Sequence, residues 1–105
     1  MVTPFQQRVY EICSQIPSGK VSTYKEIGKA LGLTGHGYRA IGGALNKNPF
    51  APTVPCHRVV ASDGSLGGFA YGCQKKIEML ADEGVKVQNN KIVDFLKRLF
   101  TFKLF

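Results

Sequence analysis

A cysteine sits directly beside a histidine in Pro55-Cys56-His57-Arg58-Val59-Val60, at the end of a segment with further prolines at positions 49 and 52. This pair is where the chain could do nucleophilic chemistry. A free thiol has a pKa of about 8.5, so near neutral pH only a few per cent is thiolate unless a base or a positive charge helps. His57 is a candidate base, and Arg58 supplies fixed positive charge. Neighbours on a regular strand point to opposite faces, so the two could cooperate only across a sharp turn or through a water. The prolines make a kinked entry plausible. Cysteine alone is more often a small buried apolar residue. Cys13 illustrates that case, on one predicted helical face with Phe5, Val9, Ile12 and Ile16. Cys73 follows Gly72 near a predicted helix start, with no partner evident in sequence. Three cysteines without C-x-x-C spacing and two distant histidines give no metal site, and none is expected.

The elements that must position this pair are mostly helical. A first helix is predicted over residues 4–15, with Pro4 in its first turn and a stop at Pro17-Ser18-Gly19. Thr23 with Glu26 reads as a capping box opening a short helix whose apolar face is Ile27, Ala30 and Leu31. After a glycine-rich turn at 32–37, a second short helix is predicted over 38–46, with Ile41, Ala44 and Leu45 inward. The two make a helix-turn-helix candidate with a longer turn than usual. Gly42-Gly43 lies inside the second helix, where each glycine costs about 1 kcal/mol relative to alanine. Close approach of a nucleic-acid backbone or of another helix would each explain it, and sequence does not choose. Arg39 is on a different face from Ile41 and Leu45.

Beyond the cysteine, Ser62-Asp63-Gly64 reads as a turn between two short extended runs. A helix is predicted over 73–83, ending at Gly84. Glu83 is disfavoured there by the helix dipole; such a carboxylate could orient a histidine, or be exposed and idle. Residues 85–93 read as a hairpin around Asn89-Asn90, and Asp94 as the cap of a last helix, 94–101, carrying Phe95, Leu96, Leu99 and Phe100. The fold class expected is therefore mainly α with a small β component (α+β), a winged helix-turn-helix-like DNA-binding domain.

At 105 residues the chain is read as one domain, with 44% hydrophobic residues and enough length for a single core. An odd cysteine count, no leader-like segment and no membrane-length apolar run predict a cytoplasmic protein, or a nuclear one in a eukaryote, without a membrane partner. The net charge is +7, and residues 20–60 carry six cations against the single carboxylate of Glu26. A basic segment leading into a reactive group points to a polyanion, nucleic acid first, although each lysine could equally be a solvated surface charge.

These motifs resemble the O6-alkylguanine-DNA alkyltransferases, also called methylated-DNA–protein-cysteine methyltransferases. The resemblance rests on Pro55-Cys56-His57-Arg58-Val59, Thr3-Pro4-Phe5-Gln6, the run from Ile16 to Tyr24, Arg39-Ala40-Ile41-Gly42-Gly43-Ala44-Leu45, Asn48-Pro49 and Leu80-Ala81-Asp82-Glu83-Gly84. It implies DNA repair by direct reversal. Cys56 would take an alkyl group irreversibly from a guanine O6, with no cofactor. His57 would act on the thiol through a water, Glu83 would orient His57, Tyr24 would donate to the departing base, and Asn48 would brace the turn. Arg39 would enter the duplex where the base has flipped out. The implied DNA-facing set is Tyr24, Lys25, Arg39, Ala40, Gly42, Asn46 and Ser62; the implied pocket is Pro55, Val59 and Ala70, with the carbonyls of Cys56 and Val59 reading guanine and residues 67–72 forming a lid. The partner would be double-stranded DNA containing alkylated guanine, bound by a monomer. Two departures stand out: the chain is expected to lack the N-terminal domain usual in the family, and Ala70 stands where some members have serine. Related alkyltransferase-like proteins bind alkylated DNA without repairing it and carry tryptophan in place of the cysteine. This chain keeps Cys56 and has no tryptophan.

Overall fold

The computed structural model describes residues 2–32, 37–50, 53–67 and 72–102, with residues 37–39 described by their backbone alone. Helix α1 runs Pro4–Cys13, shorter than expected, and opens on a reciprocal capping box between Thr3 and Gln6. Strand β1 (Ser22–Thr23) leads straight into α2 (Tyr24–Ala30). The Thr23 hydroxyl accepts from the Glu26 N–H at 3.0 Å, the forward half of the expected box. Glu26 spends its own side chain on Lys29, 3.8 Å away, rather than reaching back. Helix α3 runs Gly37–Asn46 and buries Ile41, Ala44 and Leu45, as its periodicity predicts. Residues 33–36 of the intervening turn lie outside the described residues.

A 3₁₀ turn, Cys56–Arg58, runs directly into β2 (Val59–Val60). Strands β1 and β2 pair in parallel, Ser22 opposite Val59 and Thr23 opposite Val60. Successive strand residues face opposite sides, and here the sides are two separate cores. Val59 joins Val9, Cys13, Ile16, Ile27 and Ile41 in the core of α1–α3. Val60 joins Val21, Leu66, Leu80, Val85 and Ile92 in the second. A one-residue slip would exchange these two faces, so burial fixes the register that places Cys56.

Helix α4 spans Cys73–Asp82 and ends in a Schellman motif. The Gly84 N–H donates to the Ala81 carbonyl and the Val85 N–H to the Leu80 carbonyl, both at 2.9 Å, with Gly84 at φ +84°. Leu80 and Val85 meet in the second core, the apolar contact that accompanies this motif. The hairpin of β3 (Val87–Gln88) and β4 (Lys91–Ile92) turns through Asn89 and Asn90, both left-handed, as a type I′ turn requires.

The C-terminal segment departs from expectation. Helix α5 is only Phe95–Arg98, and Asp94 is left-handed (φ 56°, ψ 42°) with no side-chain capping bond. Leu96 is 82% exposed, so the predicted apolar face is incomplete. The chain instead extends after Arg98 and bridges Leu99 to Val21, with the Phe100 N–H donating to the Val21 carbonyl at 2.7 Å. Phe100 and Phe102 pack against the first core. Edge pairing offers these residues both backbone bonds and burial, which a longer helix here would forgo. No helix among the described residues is long and apolar enough to cross a membrane.

Candidate functional site around Cys56

The turn that presents Cys56 is built by proline. Pro55 adopts φ −82°, ψ 66°, and the Cys56 N–H closes onto the Val54 carbonyl at 2.9 Å, an inverse γ-turn. The 3₁₀ turn follows at once, so Cys56 and His57 leave the backbone from a curved segment and not from opposite faces of a strand. Asn48 braces the entry: its Nδ2 donates to the Val54 carbonyl and its Oδ1 accepts from the Phe50 N–H, both at 2.9 Å. Asn48, Pro55, Cys56 and His57 are all buried.

Glu83, as the C-cap of α4, brings its carboxylate to His57. The His57 Nε2–H donates to Glu83 Oε2 at 3.1 Å, because a carboxylate can only accept. His57 Nδ1 is then the ring atom with the free lone pair. It is buried and has no partner among the described residues. Arg58 forks onto the same carboxylate, Nε to Oε1 at 2.9 Å and Nη2 to Oε2 at 2.5 Å, while its Nη1 donates to the Ile16 carbonyl at 2.8 Å. Burial holds the His57 pKa below its usual value against the opposing pull of Glu83. Partial burial alone would raise the Glu83 carboxyl, but the bonds from Arg58 and His57 outweigh it and hold the group below the usual carboxylate range. The site therefore rests with a neutral imidazole beside an ionised carboxylate.

Lys76 is the residue that sequence reasoning missed. It is fully buried on α4, where it donates to the Val59 carbonyl at 2.7 Å and the Leu66 carbonyl at 2.6 Å. Burial pushes its pKa down to about 8. It ties the exit of the cysteine turn to the segment that leads toward Gly67. The Val59 carbonyl, assigned above to guanine, thus already serves Lys76 and keeps one lone pair; the Cys56 carbonyl likewise accepts from the Val59 N–H. Only the i, i+4 spacing of Lys76 to Leu80 on a helix hinted at burial, and its charge argued the other way.

Tyr24, half-buried at the start of α2, packs on the first core, and its hydroxyl lies where a Cβ on Gly67 would come within 3.3 Å. Its pKa is raised by burial first and then by Cys56, so the phenol stays a donor. Cys13 is buried as expected, and burial pushes its thiol up to about 12. Cys73 is exposed. Among the DNA-facing set, Lys25, Ala40, Asn46 and Ser62 are exposed and Gly42 half-buried. A Cβ on Gly42 or Gly43 would meet nothing within 4 Å among the described residues, which disfavours packing against another helix as the reason for this pair. The Arg39 side chain, Ala70 and residues 68–71 of the expected lid lie outside the described residues. No cluster of potential metal ligands occurs among the described residues. A separate cleft of about 560 Å³ between α1 and residues 49, 50, 53 and 54 is lined by Tyr10, Phe50 and Val54 and does not include Cys56.

Fold and site together define an α+β domain of the DNA-binding kind with a cysteine, a histidine and a glutamate at its centre. The chain belongs to the family of the 6-O-methylguanine DNA methyltransferase DNA-binding domain, whose model matches residues 4–85. It is 45% identical over 86 residues to a methylated-DNA–protein-cysteine methyltransferase of Thermococcus kodakarensis, covering 81% of this chain and 47% of that protein. It is similar to the crystal structure of Mycobacterium tuberculosis OGT in complex with DNA, with TM-score 0.76 and 40% identity, covering 80% of this chain and 51% of the other. It is also similar to the crystal structure of S. pombe Atl1 in complex with damaged DNA containing O6-carboxymethylguanine, with TM-score 0.77 and 28% identity, covering 92% and 94%. The chain spans about half the length of the curated relatives it matches.

Proposed function

We propose that this domain repairs DNA by moving an alkyl group from guanine O6 onto Cys56, once per molecule. The observation that carries the reading is the buried Cys56-His57 turn joined through His57 Nε2 to Glu83. His57 Nδ1 takes the thiol proton through a water, and Glu83 supports the resulting imidazolium. The thiolate sulfur then attacks the alkyl carbon; an S–C bond forms, the C–O bond to guanine breaks, and the electron pair stays with the base. The Tyr24 hydroxyl supplies the proton that the departing guanine needs and regains one from solvent, while the His57 imidazolium releases the thiol proton to water. No group in this sequence of steps requires an oxidant or a metal. A stable thioether cannot return its alkyl group, so the protein is consumed.

The target atom lies inside a stacked duplex, so the nucleotide must be extruded at a cost of a few kcal/mol. Arg39, in the role the family resemblance implies, fills the gap, and the open Gly42-Gly43 surface of α3, flanked by exposed Ala40 and Asn46, lets the phosphate backbone come close. Lys25 and the other cations of residues 20–60 supply the salt-dependent part of binding. Mixing protein with a duplex containing O6-methylguanine should give demethylated product stoichiometric with protein; sustained turnover contradicts the assignment.

A binding-only role is the second reading, favoured by the close match in length and fold to Atl1. Retention of Cys56 and the lack of any tryptophan weigh against it.

A further inference from the structure

We propose that Arg58 is a positioning residue for this reaction, gripping both oxygens of Glu83 so that His57 rests neutral with its Nδ1 lone pair available to the thiol proton. The inference rests on the alkyl-transfer reading above and adds a residue to it.

The geometry is specific. One carboxylate receives three donors, two from the planar guanidinium and one from the imidazole, and the guanidinium's third arm is pinned to the Ile16 carbonyl. A planar fork fixes the carboxylate plane in a way that a lysine ammonium, a point charge, does not. With Oε1 bonded to Nε and Oε2 to Nη2, Glu83 has one orientation, and the His57 ring that donates to Oε2 inherits it. The ring can neither flip nor change tautomer without losing that bond.

Charge adds to the geometry. A bare carboxylate beside an imidazole favours the imidazolium, which is useless as a base. Arg58 offsets part of that pull, alongside the larger effect of burial. The titratable and charged groups facing His57 among the described residues are Glu83, Asp82 and Lys76 from α4 and its cap, and Cys56 and Arg58 from its own turn. Beyond the thiol, α1 and α2 contribute Cys13 and Tyr24, both uncharged at neutral pH. Arg58 and Lys76 both oppose protonation of the ring. Arg58 is the one that also touches the carboxylate.

The test is a proton-NMR titration of the His57 ring in the unreacted protein, with single-turnover rates on O6-methylguanine duplex measured across the same pH range. Arg58→Met should raise the His57 pKa by about one unit or more, and the acid limb of the rate profile should move up with it. The rise should shrink when Glu83→Gln is added to Arg58→Met, because only the direct charge effect of Arg58 on the ring is then left. Arg58→Lys, which keeps the charge and loses the fork, should leave the ring pKa near wild type while lowering the plateau rate about tenfold. An unmoved ring titration in Arg58→Met, or a rise that Glu83→Gln leaves undiminished, overturns the proposal. Should Arg58→Met not fold, a wild-type plateau rate in Arg58→Lys overturns it. The ring titration needs no DNA, so a wild-type protein that never accepts an alkyl group sinks the alkyl-transfer reading separately.

Discussion

The Lys76 ammonium donates to the Val59 carbonyl at 2.7 Å from a fully buried position, three residues downstream of the cysteine whose turn that carbonyl ends. Its pKa in the folded chain is about 8, against about 10.5 for an ordinary lysine. The unfolded chain therefore binds more protons between those values, and stability contributed at this site rises with pH across that window. Thermal melts of wild type and Lys76→Met from pH 8 to 10.5 should show a stability difference that shifts in favour of wild type as pH rises. A difference independent of pH would mean Lys76 is not titrating in the core.

Acid acts on His57 and Glu83 in the same direction. Both have folded pKa values below their ordinary ones, near 6.5 and 4.5, so their contributions are full above those values and are lost as pH falls through the folded ones. Melting temperature should decline in two stages on acidification. Glu83→Gln should shrink the stage below pH 4.5 and keep the one that begins near 6.5. Loss of both stages, or of neither, contradicts the assignment of charge states.

Asn48→Ala removes one buried and one part-buried hydrogen bond, leaving the Val54 carbonyl with the Cys56 N–H alone and the Phe50 N–H without its side-chain acceptor. Each such bond contributes about 0.5–1.5 kcal/mol net, so a loss of about 2 kcal/mol is expected by denaturant titration. The single-turnover rate should fall further than duplex affinity, because the variant loosens the turn that presents Cys56. Equal loss of rate and affinity would make Asn48 a purely structural residue.

Phe100→Ala tests the C-terminal segment. Phe100 packs on the first core, and its backbone pairs with Val21 beside β1. Truncating the half-buried ring should cost about 2 kcal/mol while leaving a monomer by sedimentation. A stable variant that instead loses self-association would show the segment to be an interface.

The sequence carried the local signals well. Helix α3 and its buried face followed from periodicity, the end of α4 from Gly84, and the hairpin turn from Asn89-Asn90. Long-range pairings were not legible: two-residue strands such as β1 and β2 have no periodicity to read, and their partners lie 37 residues apart in register. Asp94 misled because a capping residue type was taken for a capping conformation, whereas its backbone is left-handed. At the site, Cys56, His57 and Glu83 were visible as residue types in unusual places. Arg58 reads in sequence only as a fixed charge, and little in the sequence singles out Lys76. Burial of a lysine violates the usual preference, so only the tertiary structure reveals it.

The most direct measurement of the central claim is mass spectrometry of the intact and digested protein after exposure to a duplex containing O6-methylguanine. The three cysteines differ enough to discriminate: Cys13 is buried with its thiol pushed up to about 12, Cys73 is exposed, and Cys56 sits beside His57. One methyl group on Cys56, absent from Cys13 and Cys73 and from a Cys56→Ser variant that still binds the duplex, is the predicted result. A duplex that binds tightly while every cysteine stays unmodified, or a methyl group found on Cys73, would contradict it.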